Sequence, residues 1–349
     1  MSPTIRLRRS LFGTLVVAAP VVVALVVAAL ALPAPAFAGT QPITVICNSW
    51  VGFAPIFVAE DMGYDKKLGI DVTVRFDDSK SDALAALERG DVTVNMMTVD
   101  DFQRLPWAHG KTGTIIGTID ESLGGDGVVA AGSVKSVSEL KGKIVATAVN
   151  LPATMLLELE LAKNGMSMRD LKLRQISGSE ALSVFADHSV AAVGTFQPFI
   201  DQILKVEAAR HPHVLISSSQ FPGYIVDVAV VTKKEAATNP AALKAFLTGI
   251  YQAVALFNSD EAKFIALAAP HYHLTPASFK SSITGSLDYT GLPESQGYMG
   301  SPGKAGKLAA SFDAIMKLNL ETGAVKTPLT AGQSIDSAII SGITLPENN

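Results

Sequence analysis

The chain has 349 residues, 48% of them hydrophobic and 17% charged, with a formal charge of −4 and a single cysteine, Cys47. A mildly acidic, evenly mixed chain has no electrostatic footprint for DNA or RNA, and one cysteine excludes an intrachain disulfide. The length exceeds the usual single-core size, so two lobes are expected.

Arg6, Arg8 and Arg9 open the chain, and an almost wholly apolar run follows from Leu11 to Leu32. Pro33, Pro35 and then Ala36-Phe37-Ala38, a small-x-small pattern, predict signal-peptidase cleavage after Ala38 and a mature chain from Gly39. An uncleaved anchor is the alternative, because the run reaches the roughly 20 residues that span a bilayer. Cleavage takes 38 residues, three arginines and no acids from the chain of 349 at −4, leaving 311 at −7. No later run is expected to be long enough to cross a membrane. Cys47 lies inside an apolar segment, away from the cleavage site, which argues against lipidation.

From Pro42 onward, short β-branched runs alternate with helix-like stretches. Strands are predicted at 43–47, 70–75, 92–96 and 113–119, with helices at 54–62, 79–89 and 99–108 between them. Ser79 with Asp82 gives the second helix a capping box. Residues 120–127 then interrupt the rhythm with three glycines in four positions, as a crossing between lobes needs. A second unit follows, with strands at 128–131, 144–148, 173–176 and 190–194 and helices at 153–164 and 180–187. A second break spans 217–224, a strand resumes at 225–232, and the remainder reads mainly as helices. The clearest is 239–258, with Leu243, Phe246, Leu247, Ile250 and Val254 along one stripe.

This alternation predicts an α/β protein with parallel sheets covered by helices. Two breaks suggest one lobe interrupted by another. The division is a signal peptide at 1–38, a discontinuous first lobe at 39–122 and 225–349, and a second lobe at 123–224. The crossings would then be hinges around a cleft.

At Ser49-Trp50-Val51-Gly52-Phe53-Ala54-Pro55, Ala59-Glu60-Asp61-Met62-Gly63-Tyr64 and Leu68-Gly69-Ile70-Asp71-Val72, the chain resembles solute-binding proteins of nitrate/sulfonate/taurine-type ABC importers. Ala83–Gly90 with Asp91-Val92, Ser136–Lys143 and Phe196-Gln197-Pro198-Phe199 extend the resemblance along nearly the whole mature chain. It implies two Rossmann-like lobes of the type II periplasmic-binding-protein architecture, joined by two hinge crossings. The ligand would lie where loops follow the strands' carboxyl ends. It also implies a periplasmic receptor, no catalysis and no cofactor, with a small-molecule ligand and a membrane permease and ATPase as partners; a monomer is expected. One departure bears on the ligand. Where the nearest branch often has Trp-Glu-Pro-Trp, this chain has Phe-Gln-Pro-Phe, so a carboxylate and two indoles are missing.

Several residues then stand at loops expected to face the cleft. Trp50 and Phe53 follow the first strand, although both would also serve to cover the lobe's core. Thr98 opens a helix with Asp101 three residues on, which is equally a capping box. Asp120 ends a strand at the first crossing, where it could instead satisfy hinge amides. Asn150, Ala153 and Thr154 lie at the start of a helix opened by Pro152, whose free amides can grip a polar ligand atom. Phe196 and Gln197 hold the matching position in the second lobe. Tyr224 and Asp227 flank the second crossing, where burial within a strand competes as the account of Asp227.

These segments carry Asp100, Asp101, Asp120, Glu121 and Asp227 but no lysine or arginine. The resemblance implies capture of a small polar organic nitrogen or sulfonate-type compound. Aromatic rings beside carboxylates lean towards a cationic or zwitterionic amine or guanidine. His211 with His213, and His271 with His273, lack an accompanying Cys or acidic cluster, so surface loops rather than a metal site are expected. The alternative function is a thiamine-pyrimidine-type enzyme or a pyrimidine-binding protein on the same fold. The enzymes carry a cysteine-rich stretch that one isolated cysteine cannot supply.

Overall fold

The structure is a computed structural model describing residues 40–108 and 112–345; the export segment 1–38 and the expected mature start at Gly39 lie outside the described residues. The first lobe begins with β1 (Gln41–Cys47), α1 (Ala54–Asp61), α2 (Tyr64–Lys67), β2 (Ile70–Phe76) and α3 (Lys80–Arg89), then β3 (Val94–Thr98), α4 (Val99–Arg104) and β4 (Gly113–Ser122). The chain crosses to form β5 (Asp126–Ala130), β6 (Ile144–Thr147), α5 (Pro152–Lys163), β7 (Lys172–Gln175), α6 (Ala181–Phe185), β8 (Val190–Phe196), α7 (Phe199–Val206) and β9 (His213–Ser217). It returns as β10 (Val226–Thr232), followed by α8 (Lys233–Thr238), α9 (Pro240–Ser259), α10 (Glu261–His271), α11 (Pro276–Ile283), β11 (Leu287–Tyr289), α12 (Leu292–Met299) and α13 (Lys307–Glu321).

Two sheets result. The first runs β11-β4-β10-β3-β1-β2 and the second β7-β6-β8-β5-β9. Each has three parallel strands, β2, β1 and β3 in one and β7, β6 and β8 in the other. Next to these lies an antiparallel strand that has just crossed between lobes, β10 in the first sheet and β5 in the second. The sheets are therefore mixed rather than wholly parallel, because a chain arriving from the other lobe enters from the cleft end.

Local chemistry explains most boundaries. Ser79 Oγ accepts the Asp82 amide at the start of α3. Thr98 and Asp101 form a reciprocal capping box at α4. That helix stops at Arg104 rather than 108, since Leu105 precedes Pro106 and is held extended. Strand β4 runs on to Ser122, so the first break narrows to 123–125 and Asp120 lies within a strand. Neither α7 nor β9 was expected. His213 opens β9 and His271 closes α10, so neither sits in a loop.

Helix α9 corrects the expectation that no later segment has the length and apolarity of a membrane span: its 20 residues meet both criteria. Its stripe of Leu243, Phe246, Leu247, Ile250 and Val254 is buried in the first lobe, where α9 packs on α1 and α10. Leu247→Ala should therefore leave a core cavity and cost about 2–5 kcal/mol, measured by urea unfolding. A loss below about 0.5 kcal/mol would mean that this face is not part of the core.

Candidate functional site

The carboxyl ends of the strands meet at the crossings. Strand register pairs Asp227 of β10 with Thr98 of β3 on one side and with Asp120 of β4 on the other. In the second lobe, Asp126 opens β5 and is paired with Phe196 of β8. Trp50 follows β1, and its indole Nε1 donates to both Asp120 oxygens, at 3.2 and 3.3 Å. The Trp50 and Phe196 rings, from opposite lobes, meet edge to face at 6.2 Å and 86°. Trp50, Thr98, Asp126, Phe196 and Asp227, together with Asn48, Lys80 and Pro152, line a small cavity of about 10 Å³. That is room for about one water molecule, so an organic ligand can enter only when the lobes part.

The electrostatics of this space are one-sided. Lys80, the first residue of α3, makes a short ion pair with Asp101. Burial opposes the Lys80 charge, but Asp101, with Asp227 and Asp126 behind it, outweighs burial and holds the ammonium above its ordinary pKa. The other three acids have no cation of their own. Burial pushes Asp120 up to about 8, against the opposing hydrogen bond from Trp50. Burial pushes Asp126 to about 7, with Ser122 and Lys80 pulling the other way. Asp227 is raised well above the carboxylate range, by burial and then by Asp120 and Asp126. Near neutral pH this cluster holds protons because desolvated carboxylates lack enough positive charge around them. Asp101 Oδ1 is also buried without a hydrogen-bond partner. Among the described residues, no group of three or more His, Cys, Asp or Glu is placed to hold a metal ion.

The segment carrying Trp50 is fixed from the C-terminal part of the chain. The Tyr272 hydroxyl donates to the Trp50 carbonyl at 3.1 Å, and the Tyr289 hydroxyl to that of Val51 at 3.1 Å. Glycine makes room for the indole on two sides. A Cβ on Gly125 would stand 2.3 Å from the Trp50 ring, and one on Gly52 would stand 2.1 Å from Nε1.

The lobes are bonded at both rims. Arg104 pairs with Asp100 of its own helix at 2.8 Å and, across the cleft, with Glu158 of α5 at 2.7 Å and the Val149 carbonyl at 3.3 Å. On the other side, Ser281 of α11 donates to Asp201 of α7 at 3.0 Å. Ser218 joins the two crossings, meeting Ser122 Oγ at 2.9 Å and accepting the Gly124 amide at 2.7 Å. The Glu121 carboxylate accepts from the Gly223 amide and the Tyr298 hydroxyl, which ties the second crossing to the first lobe.

Of the residues singled out from sequence, Trp50, Thr98, Phe196 and Asp227 line the cavity, and Asp120 is bonded to Trp50. The others stand elsewhere. Phe53 is buried in the first lobe's core. Ala153 is buried at the start of α5, and Thr154 bonds Thr147 and the Ala148 carbonyl. Asn150 is half-buried in the turn before α5. The Gln197 side chain is bonded to Asp201 of α7, and Tyr224 meets Phe221 edge to face. Sequence reasoning missed Asn48, Lys80 and Asp126. The inventory without a basic residue is corrected by Lys80, which reaches the site from a helix not counted among the cleft segments.

The family model described as NMT1/THI5 like matches residues 50–261. A Brucella abortus (strain 2308) protein, provisionally named a binding protein, is 26% identical over 262 residues, or 74% of this chain and 80% of that one. A Haemophilus influenzae protein, provisionally named for thiamine biosynthesis, is 27% identical over 64% of this chain and 71% of its own. Among solved structures, the alkanesulfonate-binding protein of Xanthomonas axonopodis pv. citri superposes with a TM-score of 0.71 at 16% identity, covering 86% of this chain and 99% of that one. The periplasmic nitrate-binding protein of Synechocystis PCC 6803 gives 0.67 at 13%, covering 82% and 83%. Both carry the two-lobed fold.

The buried acids set a pH dependence of stability. In the fold, Asp126 keeps its proton to about 7 and Asp120 to about 8, whereas 3.8 is the ordinary value that both regain on unfolding. Between these limits the folded state binds more protons, so stability falls as pH rises, by up to about 1.4 kcal/mol per pH unit for each proton. Asp65, pushed by burial to about 7, adds to the same trend. The urea midpoint should be lower at about pH 8.5 than at about pH 5.5, and Asp126→Asn should flatten the curve. A midpoint that rises with pH across this window would contradict a protonated cluster.

Proposed function

We propose that this chain, which belongs to the NMT1/THI5 like family, is the extracytoplasmic receptor of an ABC importer and captures a small cationic or zwitterionic nitrogen compound between its lobes. The observation that carries this reading is charge. Asp120, Asp126 and Asp227 are buried beside Trp50 and Phe196, and the nearby cation, Lys80, is committed to Asp101. An ammonium, amidinium or guanidinium entering with the lobes open would supply the missing charge and meet two aromatic faces as they close. The solved relatives named for alkanesulfonate and nitrate bind anions, and the acid-rich site here departs from that chemistry.

In this role the protein catalyses nothing. It closes over its ligand and presents the closed form to a membrane permease and its ATPase. Closure is a population shift that needs higher ligand affinity in the closed form. Trp50, Asp120 and Asp227 hold the ligand from the first lobe, and Asp126 and Phe196 from the second. An aminopyrimidine is the second reading, favoured by the likeness to the Haemophilus influenzae protein.

Export is the first test. The segment 1–38 should be removed, and N-terminal sequencing of the exported protein should begin at Gly39. A retained Met1 or Ser2 would make the segment an anchor instead.

The ligand class is tested by a thermal-shift screen of amines, guanidines, sulfonates, nitrate and pyrimidines. A true ligand at about a hundredfold excess over Kd adds about 2.7 kcal/mol of stability. Calorimetric titration of the best hit should then show Trp50→Ala and Phe196→Ala weakened by on the order of 1–2 kcal/mol, about tenfold or more. Asp120→Asn should lose more, because the ligand's charge would remain buried with one carboxylate fewer. If nitrate or a sulfonate is the stabilising ligand, or Asp120→Asn binds like wild type, the cationic reading is wrong.

A further inference from the structure

We propose that ligand capture in this cleft exchanges protons for a cation, the carboxyl cluster giving protons to solvent as a positively charged ligand enters, so that the receptor loads at higher pH and unloads at lower pH. The inference rests on the reading of the site as a cation receptor and adds to it a stoichiometry and a direction.

The geometry is the first ground. Two carboxyl groups from different lobes, Asp126 of β5 and Asp227 of β10, line a space of about 10 Å³, and two more are buried directly behind its wall: Asp120 of β4, bonded to Trp50 and paired in register with Asp227, and Asp101 of α4. Lys80 of α3 enters from the first lobe and is paired with Asp101. The other charged neighbours are already engaged. Arg104 is bonded to Asp100 and Glu158, and Glu121 accepts from Gly223 and Tyr298. The Tyr272 and Tyr289 hydroxyls donate to the carbonyls of Trp50 and Val51. Burial keeps both hydroxyls neutral, so neither brings a compensating charge. Asp101 Oδ1 is buried and unpartnered on the carboxyl that pairs with Lys80, itself a lining residue, so this corner too is short of N–H donors.

Charge balance follows. Three carboxylates buried together without cations would repel one another and lose their hydration, so protons occupy them near neutral pH. When a ligand ammonium or guanidinium arrives, its charge replaces a proton's. The carboxyl O–H breaks, the proton leaves to water, and the carboxylate accepts from the ligand N–H. A strong base keeps its own proton in this exchange. A weak base such as an aminopyrimidine would take the cluster's proton and release none, so proton release separates the two ligand classes.

The experiment is calorimetric titration of the mature protein with agmatine, butylamine and acetamidine. Each titration is run in phosphate and in Tris, whose ionisation heats differ, and is repeated across pH. Binding heat should differ between the two buffers in proportion to the protons released. Affinity should fall about tenfold per pH unit between about pH 7 and about pH 5 for each proton exchanged. Asp126→Asn should weaken binding and lower the number of protons released per ligand bound, and an unchanged proton count per ligand bound would overturn the exchange. Tight binding of a probe with buffer-independent heat and constant affinity from about pH 5 to about pH 8 would overturn the exchange and leave the cation reading standing. Failure of all three probes to bind at any pH overturns both.

Discussion

The register of the two crossing strands is the constraint on which the site depends. β5 and β10 each enter a sheet antiparallel to both of their neighbours, and each delivers an aspartate at the cleft end. Successive side chains on a strand point to opposite faces, so a slip of one residue in β10 would remove Asp227 from its place between Thr98 and Asp120. In β5, the same slip would part Asp126 from Phe196. The crossings thus do two jobs: they join the lobes, and they set which side chains the lobes present to each other.

Around that register, aromatic rings and carboxyls divide the work. Trp50 and Phe196 exclude water, which raises the cost of every buried charge and strengthens every contact to an incoming one. Trp50 also donates to Asp120, which partly offsets that carboxyl's desolvation. Its own position depends on Tyr272 and Tyr289, two residues beyond the stretch matched by the family model. The segment carrying Trp50 is thereby held through its carbonyls by hydroxyls from the C-terminal part of the chain.

Much of the architecture was legible in the sequence because strand and helix periodicities differ. The parallel strands of both lobes, the Thr98 cap and the α9 stripe follow directly from them. What stayed hidden depends on partners remote in sequence. Lys80 sits at the first position of a helix, against the macrodipole, and that oddity was the available signal of an outside carboxylate. Asp126 lay in a glycine-rich run read only as a crossing between lobes, although it follows its crossing much as Asp227 follows the other. Phe53 and Gln197 could not be placed from spacing alone, since a core and a neighbouring Asp201 compete for them.

Arg104 gives the rim an asymmetry with a kinetic meaning. Its guanidinium side chain is only 3% exposed and holds Asp100 in its own lobe as well as Glu158, 14% exposed, in the other. When the lobes part, Arg104 keeps its first partner, and Glu158 alone must find water. Separation therefore strands no unpaired charge inside either lobe, and the clasp can be remade at each cycle. Because it lies outside the cavity wall, under the proposed function its strength would set how long a captured molecule stays without bearing on which molecule is chosen. Dwell time and selectivity would then be separately adjustable, one by the rim and the other by the floor of the cleft.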